Sequence, residues 1–190
     1  RNMNLLKAIL SLGLALNVTP VLAADQDTSA PDYLEAMCTL TGNWSGKFEQ
    51  YNEIGVFRTS GFDAGFLCLP DKDVLMETNV FLPEDGESFS TLKVIFPTKQ
   101  VNEMQMAYFY GGMEKAFFFK SARLDYDDAE HWTVVRESAG KAHEAGKETS
   151  ASRYIHIRSG NELTMIREVK PDDSSDEWKL SSKLILQWQP

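Results

Sequence analysis

The chain has 190 residues, 43% of them hydrophobic and 25% charged, with a formal net charge of −9. That acidic balance argues against nucleic acid or an anionic membrane surface as a partner, since both are held by clustered Lys and Arg. The length suits one well-formed core, and past the first two dozen residues no apolar run is long enough to cross a bilayer as a helix.

The first residues divide into the three zones of a secretory signal peptide. Met3-Asn4-Leu5-Leu6-Lys7 is a short, positively charged start, Ala8 to Val18 is an apolar run, and Pro20 precedes Val21-Leu22-Ala23. At about 11 residues the apolar run fits a signal core and is too short for a membrane anchor. Residues 1–23 are therefore read as a signal peptide, 24–28 as a linker, and 29–190 as one exported domain, periplasmic or secreted. The competing reading of the apolar run is a buried helix of the fold.

Ser29-Ala30-Pro31-Asp32 predicts a short helix, with Ser29 as its N-cap and Tyr33, Leu34, Met37 and Leu40 on one apolar side before Gly42 ends it. Cys38 and Cys68 are the two cysteines of a chain bound for an oxidising compartment. They are expected to form one disulfide, closing a loop of about 30 residues and contributing about 3–4 kcal/mol. Two separate buried thiols are the alternative. The spacing fits neither a redox pair nor a zinc site, and three dispersed His give no metal-ligand pattern, so no metal or cofactor is expected.

From Trp44 onward short alternating runs follow one another. The clearest are Val74-Met76-Thr78-Val80-Leu82, Leu92-Val94-Phe96, Met104-Met106-Tyr108-Tyr110, Trp132-Val134-Arg136, Leu163-Met165-Arg167 and Trp178-Leu180-Ser182-Leu184-Leu186-Trp188. Turn residues separate them at Asn52–Gly55, Pro70–Asp73, Pro83–Gly86, Gly111-Gly112, Asp127-Asp128 and Ser159–Asn161. The pattern predicts an all-β domain: a single antiparallel meander β-barrel of about ten strands, with the short N-terminal helix at its base. Residues 139–152 and 171–177 are polar and are read as solvated loops, with a lid over the barrel mouth as the alternative.

Gly42-Asn43-Trp44-Ser45-Gly46, behind the predicted helix, resembles the Gly-x-Trp opening of the calycins, the group of the lipocalins and fatty-acid-binding proteins. The chain is also similar, over about residues 38–189, to lipocalin-like domains secreted by bacteria, which end in a Trp-containing hairpin like Glu177-Trp178-Lys179. The resemblance implies a barrel whose first-strand Trp closes its base, with an Arg packed against that Trp. The paired arginines and the Arg-x-Tyr ligand grip of fatty-acid-binding proteins are not found.

With apolar residues facing inward, Met76, Met104, Met106, Met165, Tyr108 and Trp132 should meet in one space. They would make either an adaptable ligand lining or an ordinary packed core. Arg136 and Arg167 share the inward parity of their strands. Each is read as a grip on a ligand carboxylate or phosphate, as the Arg that packs on Trp44, or as a strand-end group reaching water. In Tyr154–Arg158 the isoleucines are expected to face the core, which turns Tyr154, His156 and Arg158 to solvent; a haem or catalytic role for His156 needs the opposite parity. Asp125, Asp127, Asp128 and Glu130 fall in one turn, where solvation or weak calcium binding explains them. No nucleophile motif is found.

The function expected from these readings is an exported binding protein that holds a small apolar or amphipathic ligand, acidic in one form, in the barrel. Arg136, Arg167, Tyr108, Met106, Trp132 and Met165 are its site residues. Two alternatives stand beside it. One is a barrel enzyme of isomerase, cyclase or lyase type using Tyr108, Arg136 or Arg167. The other is a protein- or glycan-binding module with a filled barrel and exposed aromatics such as Phe117 and Phe119.

Overall fold

Alternation with a period of two along ten runs gives ten antiparallel strands, and short turns force each to pair with the next. The computed structural model describes residues 32–71, 73–98, 103–111, 113–138, 151–170 and 177–190. Residues 1–31, which include the segments read above as signal peptide and linker and the expected N-cap Ser29, and most of the two polar loops lie outside the described residues. Helix α1 (Tyr33–Cys38) leads into β1 (Gly42–Asn52), β2 (Gly55–Cys68), β3 (Leu75–Pro83), β4 (Phe89–Pro97) and β5 (Glu103–Tyr110). Then come β6 (Met113–Asp128), β7 (His131–Ser138), β8 (Ser152–Ser159), β9 (Glu162–Val169) and β10 (Lys179–Gln189). Every strand pairs with its sequence neighbours, and β1 also pairs with β10, so the meander closes into a barrel. The fold class is as predicted.

Two glycines make that closure possible. Gly42 begins β1 at φ 130°, a conformation L side chains rarely adopt. A Cβ on Gly46 would sit 2.1 Å from the carbonyl oxygen of Ile185, so β1 and β10 pair at this register only because Gly46 has none.

The helix starts one turn later than its first signals. Its N-cap is Asp32, whose carboxylate accepts from the amides of Leu34 and Glu35 at 2.9 and 2.8 Å. Tyr33, Leu34, Met37 and Leu40 are buried against the barrel base as expected. Cys38 and Cys68 form the predicted disulfide, with Cα atoms 5.2 Å apart, and it pins the end of α1 to the basal end of β2. The turn placed at Asp127-Asp128 lies two residues on. β6 runs through Asp128, whose carboxylate caps the turn by accepting from the Glu130 amide at 2.7 Å.

Parity fails on three strands, and for one reason. On β3 and β4 the inward row is Glu77, Asn79, Thr91, Lys93 and Ile95, while Met76, Val80, Leu92, Val94 and Phe96 are half-buried on the outside and Leu82 is exposed. On β8 the inward row is Tyr154, His156 and Arg158, and Ile157 is exposed. The alternation rule assumes the apolar set seeks the core. Here inward polar groups bond to one another, so that assumption does not hold. Met76 is therefore no part of the interior. Phe119, expected on the outer face, is buried at 1% exposure and packs edge-on against Tyr154.

Gly46→Ala should lower stability by about 2 kcal/mol or more, because the new methyl group pushes backbone from backbone. Urea unfolding measures it, and a variant as stable as the parent would contradict the β1–β10 register. Reducing Cys38–Cys68 should cost about 3–4 kcal/mol in the same assay.

Candidate functional site

The barrel base is a floor built around Trp44. Its indole N–H donates to the Leu40 carbonyl at 2.8 Å, just past α1, and the ring is almost fully buried. The Arg158 guanidinium lies 5.7 Å from that ring and donates to the carbonyls of Thr39 and Gly160. A cation at the C-terminal end of a helix satisfies carbonyls that the helix itself leaves unpaired. Trp132 adds a bond from its indole N–H to the Thr39 hydroxyl at 3.0 Å. Leu75, Ile95, Met104, Leu163 and Leu186 fill the space above, all fully buried.

Over this floor lies a polar layer. Lys93 bonds Glu77, and the Asn79 amide donates to Glu77 at 3.0 Å and to Thr91 at 3.2 Å. Tyr108 lies near enough for Lys93 and Thr91 to act on its phenol. From β7 and β8 come Arg136 and His156. Arg136 is 3% exposed, and its terminal nitrogens reach the thioether of Met104 and Nε2 of His156, both at 3.3 Å. The guanidinium also lies 5.5 Å from the Phe119 ring and 5.7 Å from that of Tyr154. Among the described residues no carboxylate lies within ion-pair distance of Arg136. Burial lowers its pKa, while the nearby Glu77 charge supports it; an Arg stays charged through such a shift.

The His156 tautomer follows from this contact. Arg can only donate, so Nε2 accepts and the ring proton sits on Nδ1. Burial first, then Arg136, then Lys93 hold the ring well below its usual pKa of 6.5, so it is neutral. Among the described residues, four buried polar atoms in this layer have no hydrogen-bond partner: Nε of Arg136, Nδ1 of His156, Oε2 of Glu77 and Oδ1 of Asn79.

The predicted site residues divide as follows. Met106, Trp132, Met165 and Arg136 are buried inside the barrel, as is Met104. Tyr108 faces inward, half-buried, and burial raises its pKa against the opposing effects of Lys93 and Thr91. Arg167 keeps inward parity but is exposed near the end of β9, with one nitrogen 3.5 Å from the Ser152 hydroxyl and its charge 5.9 Å from the Tyr154 ring. It is the strand-end case. The Arg that seals the base is Arg158, a residue expected in solvent. His156 is likewise corrected: it has the inward parity that a ligand or catalytic role requires, although its Nε2 is taken by Arg136. Glu77, Asn79, Thr91 and Lys93 were missed, because the apolar residues between them set the parity.

Elsewhere, Asp125 pairs with Arg123 and Asp128 with His131, and no metal-ligating group of three or more is found among the described residues. An open groove of about 450 Å³ lies on the outer wall over β1, β2, β3 and β10. Asn43, Ser45, Asp63, Thr78 and Gln189 line it, and none of the predicted ligand residues does. No described helix is long and apolar enough to cross a membrane.

The fold has a solved counterpart. The structure described as "Crystal Structure of Rv2717c from M. tuberculosis" is similar over 85% of this chain and 100% of that one, with a TM-score of 0.61 and 12% identity. At that identity the likeness concerns the fold alone. No family model and no curated protein matches the chain.

The neutral ring gives a pH test. His156 is protonated in the unfolded chain near pH 6.5 but not in the folded one, so stability falls as pH drops below about 6.5, by at most about 1.4 kcal/mol per pH unit. Nitrogen NMR of the folded protein should show the Nδ1–H form unchanged from about pH 8 to pH 5. An imidazolium signal for His156 within that range would refute the assignment.

Proposed function

We propose that this is an exported, calycin-like binding protein that holds a small amphipathic ligand in its barrel by an acidic head group. The observation that carries the reading is Arg136. A guanidinium this buried is costly without a counter-charge, and its neighbours are a thioether, a neutral imidazole and two aromatic rings. Glu77, the carboxylate whose charge acts on it, is bonded to Lys93. A ligand carboxylate supplies what the protein does not. Room for it is supported by strand number: eight strands enclose a space that side chains just fill, and this barrel has ten. Several inward residues are also short, among them Ser60, Thr91 and Ser182. Met106, Met165 and Trp132 supply apolar contacts for the tail, and Arg167 stands at the strand end.

The calycin reading is supported by the helix–Trp44–Arg158 floor, which matches what the resemblance implies of the barrel base. Export is supported by the leader-like residues 1–23 and by the disulfide, which persists only in an oxidising compartment. A barrel enzyme is the second reading, favoured by the Glu77–Lys93–Asn79–Thr91 network beside Tyr108, since bonded acid–base groups in a protected interior are what proton transfer requires.

Arg136→Met separates a ligand grip from a structural part. The variant should unfold at a higher temperature than the parent when ligand-free, because it removes an uncompensated buried charge. Its affinity for medium-chain carboxylates should fall at least about tenfold by calorimetry. A variant of lower stability and unchanged affinity would assign Arg136 to the fold and sink the reading.

A further inference from the structure

Closure of the sheet stops short of the rim at one hairpin. β10 pairs with β1 only as far as Gln50. β2 pairs with β3 only from Ser60, opposite Pro83, which has no amide N–H to continue the ladder. Residues 51–59 therefore stand above the wall as a two-stranded ribbon, joined through the Tyr51–Val56 and Asn52–Gly55 pairs. On the β10 side Lys179 reaches Glu53 at 3.9 Å. On the β3 side the backbone of residues 55–59 has no partner among the described residues. That open edge is about 17 Å long. The ribbon is apolar on both faces and at its tip: Ile54 is 94% exposed, Phe57 57% and Val56 50%. Edges are commonly blunted by charge, proline or a cover. This one carries a single charge, Arg58, and no proline.

Charge decides what can lie along the edge. Just past Pro83 the turn into β4 carries Glu84, Asp85 and Glu87, all exposed and in no ion pair among the described residues. Glu53 and Lys179 offset each other, so Arg58 alone opposes these three acids. A second copy of the chain would set two such turns against each other, which like charge disfavours. A bilayer of any charge would leave the amides and carbonyls of the edge unpaired in lipid. An extended polypeptide answers all three features at once: backbone for the edge, apolar side chains for the ribbon and cations for the turn. We propose that residues 55–59 of β2 take up a cationic, apolar segment of a partner protein as an added strand. Its apolar side chains lie beside Val56 and Phe57, and its Lys or Arg residues face Glu84, Asp85 and Glu87. This docking needs no ligand in the barrel and stands apart from the reading of Arg136.

The test uses a labelled nine-residue peptide, KKVTVTVKK, whose cations flank its apolar centre in either strand direction. Added to the disulfide-intact protein and followed by fluorescence anisotropy, it should bind with a Kd below about 1 mM. The same peptide N-methylated at its five central residues cannot donate along the strand, and should bind at least about tenfold more weakly. Phe57→Ser should weaken binding at least about fivefold, and so should Glu84→Gln, Asp85→Asn and Glu87→Gln made together. These side chains are exposed, so the melting temperature should stay unchanged in both variants. Absence of binding at about 1 mM, undiminished binding of the N-methylated peptide, or parental affinity in either variant overturns the proposal. A dimer seen by light scattering, or sedimentation with phosphatidylcholine vesicles, that Phe57→Ser abolishes would give the ribbon to a second copy or to lipid, and overturns it as well.

Discussion

Everything in this molecule depends on β1 having two partners. Pairing with β2 on one side and β10 on the other removes both free edges of the sheet at once. It also turns one face of ten strands toward a single enclosed space. The match is tight: the strands meet at a glycine that admits no side chain, beside another at φ 130° where the chain enters the strand. Closure then creates a second requirement, because an open-ended cylinder would expose its lining at the base. Helix α1, Trp44 and Arg158 meet it together, with the indole and the guanidinium each bonded to carbonyls at the helix end. Sheet closure and floor are thus one construction, joined through the five residues that begin with Gly42.

Above that floor the interior departs from an oily core. Two kinds of buried charge sit in it, and they differ physically. Glu77 and Lys93 compensate each other directly, and Asn79 extends the bonding to Thr91. Such a set costs little beyond its desolvation. Arg136 has no comparable partner, and the neighbouring imidazole is held neutral partly by Arg136 itself. Natural proteins retain uncompensated buried charge chiefly where it does something other than hold the fold. That distinction locates the candidate site on β7 and β8 rather than among the more numerous polar groups of β3 and β4.

Much of the architecture was legible in the sequence. Turn residues at regular spacing gave the strand count, Cys38 and Cys68 gave the covalent tie, and Gly42 with Trp44 marked the first strand and the base. The inward placing of Met106, Trp132, Met165 and Arg136 followed from strands whose apolar residues do face the core. The site was only half legible. Ile155 and Ile157, and Met76, Val80 and Leu82, are apolar residues on the outer face, and they reverse any parity drawn from hydrophobicity. The sequence contains no direct mark that Glu77, Lys93 and His156 find partners across strands, since those contacts exist only after register is fixed. A weak clue was present in the spacing of Glu77, Asn79, Thr91 and Lys93, polar residues two apart on strands that pair in sequence order. The Arg that closes the base could not be chosen among several for the same reason: only the closed barrel brings Arg158 beneath Trp44.

The disulfide has a mechanical consequence as well as a thermodynamic one. A chain drawn out from both ends, as by a translocase or an unfolding protease, transmits tension from Cys38 to Cys68 through sulfur. Residues 39–67 then carry no load. That stretch holds the whole of β1 and all but the last residue of β2. The strand that closes the barrel is therefore shielded from direct pulling, and rupture has to begin elsewhere in the wall, by peeling β10 or β3 from its neighbours.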